Sequence, residues 1–300
     1  MKKRTLGFAV ALLATVALPA YHAQAQDRGD PLYQSGARNI GPPEREDLEG
    51  LDALARAKAM GEITACADPY NFPYSMSNTE PPGFDVEIFR AIAKRAGLNA
   101  KMYWADTGTR GGLGRAMRNS IAQRKCSFFL GLSVGGDEDE MKDFKLAYTH
   151  PYLGIGYVLA LQGKAADATS LEQLKERKVK IGVSMSTPMD DFLFSNGYDR
   201  ELYFQNKRIL EGMSKGEVDA SMVWMTAMAE AKRDFPSLQL KLAPNFVPLP
   251  GLRWNLAIAV PAKETELKKF LDDSIDDLLK SGEIKRIVES YNVPFYSPFM

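Results

Sequence analysis

The residues able to do acid–base, redox or metal chemistry are few, and their scarcity limits the reactions open to this chain. Two cysteines, Cys66 and Cys126, and two histidines, His22 and His150, are all it carries of either type. A Cys/His zinc site of four ligands would consume every one of them. A histidine-based triad would run through His150, and no nucleophile in the sequence pairs with it by motif. The acidic run Asp137-Glu138-Asp139-Glu140 has the charge to gather a hard cation, but it lacks the alternating ligand spacing of an EF-hand loop and reads as a solvated acidic loop. The glycine-rich stretch from Thr109 to Arg115 lacks the Gly-Lys-Ser/Thr ending of a phosphate-cradling loop and reads as a helix entrance with exposed arginines.

Composition narrows the class further. Over 300 residues the chain is 45% hydrophobic and 25% charged, an ordinary globular balance with length for one large domain or two modest ones. Basic and acidic residues number 38 each, so no surplus of positive charge marks a nucleic-acid binder. Lys2, Lys3 and Arg4 precede an apolar run from Leu6 to Leu18, followed by Pro19 and Ala23-Gln24-Ala25. That order reads as a secretory signal over 1–25, with a run too short to span a bilayer. Export to the periplasm is therefore expected. Cleavage would remove His22, and the three basic residues lost would leave 35 basic residues against 38 acidic, a net of −3. Two cysteines in an oxidising compartment point to one disulfide, Cys66–Cys126, with two buried free thiols as the alternative.

The elements that must position these residues alternate. Residues 26–61 read as an N-terminal arm, turn-rich and stiffened at Pro42-Pro43, ending in a helical stretch over 47–60. Strands follow at 62–67, 99–104 and 127–132, with helices between them marked by Val86, Phe89 and Ile92 and by Leu113, Met117 and Ile121. A strand over 156–161 leads into a second block. It has strands at 178–183, 218–224, 238–242 and 252–260, helices at 189–196 and 209–215, and two closing helices at 265–281 and 283–291. Two successive strand–helix blocks imply an α/β protein of two lobes with mainly parallel sheets.

Five motifs then carry a resemblance. These are Cys66-Ala67-Asp68-Pro69-Tyr70-Asn71-Phe72-Pro73-Tyr74-Ser75, Gly83-Phe84-Asp85, Thr149-His150-Pro151-Tyr152, Lys215-Gly216-Glu217-Val218-Asp219-Ala220 and Ser281-Gly282-Glu283-Ile284. In order and spacing the stretch 62–294 resembles the solute-binding proteins of family 3. The resemblance implies a two-lobed type II periplasmic binding fold with a hinge of two crossing strands near 156–161 and 252–260. Lobe 1 would be 62–158 with 256–300, lobe 2 would be 159–255, and a ligand would sit between them at helix N-termini. Amino-acid-binding members carry an Arg nine residues before the Pro of the third motif, where Lys142 stands, and an acid five residues after the Asp of the fourth, where Trp224 stands. Their Gly-Thr becomes Ser186-Thr187. The two-pronged grip on a ligand carboxylate and the partner for its amine are both lost.

A narrower resemblance, Cys-Ala-Asp-Pro-x-Asn-x-Pro-x-Ser with a second Cys at 126, is to the accessory homologues encoded with periplasmic quinoprotein methanol dehydrogenases. The XoxJ type of the lanthanide system is nearer than the MxaJ type of the calcium system. It implies a non-enzymatic protein that binds and helps activate or mature the dehydrogenase, through a cleft faced by Tyr70, Phe72, Tyr74, Phe84, Lys142, Tyr152, Ser186, Thr187 and Trp224. No cofactor, metal ion or catalytic residue is expected on the chain. The alternatives are an ABC-transporter receptor for a small molecule other than a standard amino acid, and an enzyme like the cyclohexadienyl dehydratases. The lone histidine and the missing carboxylate fork weaken the enzyme.

Overall fold

The structure is a computed structural model that describes residues 48, 50–134 and 144–300. The signal-like segment, most of the N-terminal arm, the acidic run and Lys142 lie outside the described residues.

The first α-helix among the described residues, α1 (Ala53–Met60), begins later than the sequence pattern suggests because Asp52 caps it. The Asp52 carboxylate accepts from the Leu54 amide at 2.9 Å and from the Leu267 amide at 3.0 Å. Glu264 reciprocates by accepting from the Ala53 amide at 2.6 Å. The starts of two helices are thus tied together by carboxylates, the charge sign their dipoles favour. The part of the expected arm over 52–61 is consequently docked on the fold.

Then come β1 (Glu62–Ala67), the short pair β2 (Tyr70–Asn71) and β3 (Ser75–Met76), α2 (Phe84–Arg95), β4 (Asn99–Trp104), α3 (Gly112–Asn119), β5 (Phe128–Val134), β6 (Leu146–Tyr148) and β7 (Leu153–Leu161). The second block holds α4 (Leu171–Glu176), β8 (Ile181–Ser184), α5 (Pro188–Ser195), β9 (Arg200–Tyr203), α6 (Asn206–Ser214), β10 (Ala220–Trp224), α7 (Ala227–Asp234) and β11 (Lys241–Leu242). The chain returns through β12 (Arg253–Pro261) and closes with α8 (Thr265–Lys280) and α9 (Glu283–Ser290).

Among the described residues ten strands join in the order β4-β1-β5-β12-β7-β10-β8-β9, with β6 on β12 and β11 on β7. The sheet is mixed, where the alternation of strand and helix implies mainly parallel pairing. Strands β1, β4 and β5 pair in parallel, as do β8, β9 and β10, because helices carry the chain back between them. Strand β12 runs antiparallel to β5, β6 and β7, and β7 runs antiparallel to β10 and β11. These two long strands link the halves in opposite directions. All nine residues of β7 are buried, as suits a strand covered on both faces.

Cys66 and Cys126 are disulfide-bonded with Cα atoms 5.6 Å apart. The bond joins β1 to the entry of β5, where the Ser127 amide also donates to the Thr64 carbonyl.

Candidate functional site

The site is built on two helix starts and two strand ends. After β1 the chain folds around Asp68, whose carboxylate accepts from the amides of Tyr70 and Thr107, both at 2.7 Å. Ser75 donates to the Asp68 carbonyl at 2.6 Å, which closes the loop. The loop is held against α2 by backbone bonds, from the Phe84 amide to the Pro73 carbonyl at 2.9 Å and from the Asp85 amide to the Tyr74 carbonyl at 3.0 Å. Gly83 makes this approach possible. Its φ is +109°, and a Cβ there would lie 2.4 Å from the Tyr74 carbonyl oxygen. Two first-turn amides of α2 are therefore spent on the chain's own carbonyls, and an incoming anion would have to displace them.

A similar exchange occurs at α5. Thr187 caps the helix, donating to the Ser184 carbonyl at 2.8 Å and accepting from the Asp190 amide at 3.2 Å. Pro188, the first helical residue, has no amide hydrogen. The Ser186 amide donates to the Asp190 carboxylate at 2.9 Å, and Arg200 donates to the other oxygen of the same carboxylate at 2.5 Å. An internal carboxylate thus occupies an amide at this helix start.

Between these two starts lies an aromatic cluster. Trp224, at the end of β10, donates from its indole to the Tyr74 hydroxyl at 3.0 Å. It sits opposite Tyr157 of β7, with rings edge-on at 5.3 Å, and 5.7 Å from the ring of Trp254 on β12. Tyr74 packs against Phe84 at 4.9 Å, and burial pushes its phenol well above the ordinary range. Beside the cluster the Arg233 guanidinium covers the Phe72 ring at 4.1 Å, and Asn292 donates to the Met228 carbonyl at 2.8 Å. These contacts connect the loop after β1 and the α9 end with α7 and β10.

Of the residues expected at a cleft, Phe72, Tyr74, Phe84, Thr187 and Trp224 belong to this neighbourhood. Phe84 and Tyr152, also expected at the cleft, are buried in the core cluster. They are 0% and 1% exposed, because one opens α2 under the sheet and the other leads into the buried β7. Tyr152 donates instead to the buried Asp85 carboxylate at 2.6 Å. Desolvation drives that carboxyl up to about 7, against the lowering effect of the Tyr152 bond. Tyr70 is 47% exposed on the β2–β3 pair, and Ser186 is exposed at the α5 entrance with a left-handed φ of +57°. Tyr157, Trp254, Asp190 and Arg233 are the residues sequence reasoning missed. Trp254 and Tyr157 lie on the two strands already expected to form the hinge, so an aromatic on each was the available signal.

His150 faces away from this chemistry, its ring nitrogen 3.1 Å from Asp276 on α8 and its side chain largely exposed. A groove of about 850 Å³ runs beside the disulfide, lined by Asp52, Arg56, Thr64, Arg124, Cys126 and Glu266, and includes none of the aromatic cluster.

No family model matches the chain. It is similar to the probable amino-acid-binding protein YxeM of Bacillus subtilis (strain 168), with 25% identity over 237 residues, 76% of this chain and 82% of that protein. The L-cystine solute receptor of Neisseria gonorrhoeae, in its unliganded open conformation, matches with a TM-score of 0.67 at 15% identity, covering 83% of this chain and 100% of the receptor. An ancestral cyclohexadienyl dehydratase matches with a TM-score of 0.61 at 16% identity, over 83% of this chain and 99% of the enzyme. The fold is that of the two-lobed periplasmic binding proteins. Among these matches that architecture carries a solute receptor and an enzyme.

Proposed function

We propose that this is a non-enzymatic, exported accessory protein that binds a periplasmic quinoprotein methanol dehydrogenase, of the lanthanide-dependent kind, and assists its activation or maturation. The lobes are taken as 62–158 with 256–300 and as 159–255, the breaks falling inside the two crossing strands. The observation that carries the reading is the use of the chain's own groups where a small anionic ligand would bind. The Ser186 amide is taken by Asp190, the α2 amides by Pro73 and Tyr74, and the space between by Trp224 on Tyr74. A cleft filled in this way is poorly suited to a free amino acid. Its aromatic side chains are instead the kind that anchor protein interfaces. The identity of the partner rests on the motif that runs from Cys66 to Ser75 together with Cys126.

The second reading, a receptor for a small solute, is favoured by the similarity to a probable amino-acid-binding protein. One experiment separates them. The mature chain is titrated in a calorimeter with purified dehydrogenase and, separately, with a panel of free amino acids and other small metabolites. Saturable heat with the dehydrogenase alone supports the accessory. Micromolar binding of a metabolite with no response to the enzyme overturns it in favour of the receptor.

A further inference from the structure

We propose that the C-terminal segment Pro294–Met300 is a strap across the hinge, holding both crossing strands at one register pair and restraining rotation of the lobes. Gly154 of β7 and Asn255 of β12 are paired residues in the sheet. The segment bonds to both. The Gly154 amide donates to the Tyr296 carbonyl at 2.9 Å, a bridge of antiparallel type. The Asn255 side chain donates to the Phe299 carbonyl at 2.9 Å and accepts from the Phe299 amide at 2.8 Å. This two-pronged grip satisfies one residue's backbone donor and acceptor at once, as a β-ladder does.

Side chains lock the segment in place. A Cβ on residue 154 would meet the Phe299 ring at 2.7 Å and the Ser297 carbonyl oxygen at 2.8 Å, so only glycine admits the strap this close. Arg253, next on β12 but one, lays its guanidinium 4.5 Å from the centre of the Phe299 ring. Tyr296 then reaches out of the hinge. Its hydroxyl donates at 3.2 Å to the carbonyl of Phe246, which packs on the cluster around Leu159, Ile181 and Met222. Tyr296 itself packs on the other cluster, with Phe84 and Leu153.

Lobe closure in a hinged protein is absorbed by φ/ψ changes at a few residues. A segment bonded to both hinge strands and to a carbonyl carried with the second core must break bonds or move with them. The strap therefore favours the arrangement seen here, with Trp224 on Tyr74 and Arg233 over Phe72. This inference does not depend on which molecule the protein binds.

The test places spin labels at the exposed positions Asn99→Cys and Glu176→Cys and reads their distance distribution in the full mature chain. Deleting Ser297–Met300 should lengthen the mean distance and at least double the width. Phe299→Ala and Asn255→Ala, which leave the chain length intact, should give intermediate shifts without loss of the thermal transition. If the deletion does not fold, the two point variants decide. Distributions identical to wild type in well-folded variants would overturn the strap.

Discussion

The indole of Trp224 and the hydroxyl of Tyr74 meet at 3.0 Å, 150 positions apart in sequence, and join the end of β10 to the loop after β1. The pair bridges the two halves with a hydrogen bond between groups that are costly to leave unsatisfied once buried. Trp224→Phe keeps an aromatic ring against Tyr157 and Trp254 but removes the donor. It should cost about 1–2 kcal/mol of stability in denaturant titration. Trp224→Ala should go further and, if the proposed dehydrogenase docks on this cluster, weaken that binding roughly thirtyfold, the loss expected for a large anchor in a desolvated centre. Affinity measured at low and high salt beside the thermal melt decides the second point. A well-folded Trp224→Ala that binds as wild type would shift attention to the exposed Arg110, Arg115 and Arg118, with salt-sensitive binding as their signature.

Much of the framework was legible because its periodicity is strong. The strands at 62–67 and 99–104 coincide with the observed ones, and the two closing helices end within a residue of those expected. Strand β9 was not legible. Arg200-Glu201-Leu202-Tyr203 has two charged residues at a sheet edge, so it carries no apolar run to mark it. Helix α7 was missed for a related reason. It follows β10 after only Met225 and Thr226, and its buried alanines, Ala227, Ala229 and Ala231, give little contrast with their neighbours. Among the site residues, Phe84 and Tyr152 read as cleft-facing because motif order says which loop a residue is on but not which way its ring turns. The roles of Asp190 and Asp85 arise from partners met only in three dimensions, Arg200 and the Ser186 amide for one and Tyr152 for the other.

The disulfide should contribute measurably to the stability of the first half. Cys66 is fully buried and Cys126 nearly so, and closure of a loop of 60 positions constrains the unfolded chain. On the chain-entropy account that constraint is worth roughly 4 kcal/mol. Thiol labelling of the unreduced, denatured mature protein should find no free thiol. The paired Cys66→Ala, Cys126→Ala variant should lose several kcal/mol in denaturant titration. Two labelled cysteines, or an unchanged midpoint in the double variant, would refute the assignment.

Glutamine, histidine and arginine should fail to bind at micromolar concentration. The Asp190 carboxylate already holds the Ser186 amide and is itself held by Arg200, so a ligand carboxylate would have to displace a bonded anion. Asp190→Asn tests the cause. It removes the ion pair with Arg200, leaving that guanidinium without its carboxylate, and should let simple carboxylates bind detectably near α5, read as chemical-shift changes at Ser186 and Thr187. Tight binding of any of the three amino acids to the wild-type chain would show that the internal carboxylate is no barrier.

Asp85 should make the protein less stable as pH rises from acid to neutral, the reverse of the usual carboxylate effect. Its carboxyl is fully buried, accepts from the Tyr152 hydroxyl at 2.6 Å, and is driven from the ordinary 3.8 to about 7 chiefly by desolvation. The folded state therefore holds this proton more tightly than the unfolded state. The favourable contribution is complete below about pH 4, declines as pH climbs through the interval, and is gone above about 7. Over some three units this amounts to on the order of 4 kcal/mol for one group. Tyr152→Phe removes the bond that favours the carboxylate, so it should push the carboxyl higher and extend the decline to more alkaline pH. Asp85→Asn has no proton to lose and should flatten the profile. Denaturant titrations from pH 4.5 to 8 on the three proteins give the comparison, since the remaining groups contribute alike to each. A wild-type slope equal to that of Asp85→Asn would mean that Asp85 titrates as an ordinary carboxylate and that its burial beside Tyr152 has no energetic consequence.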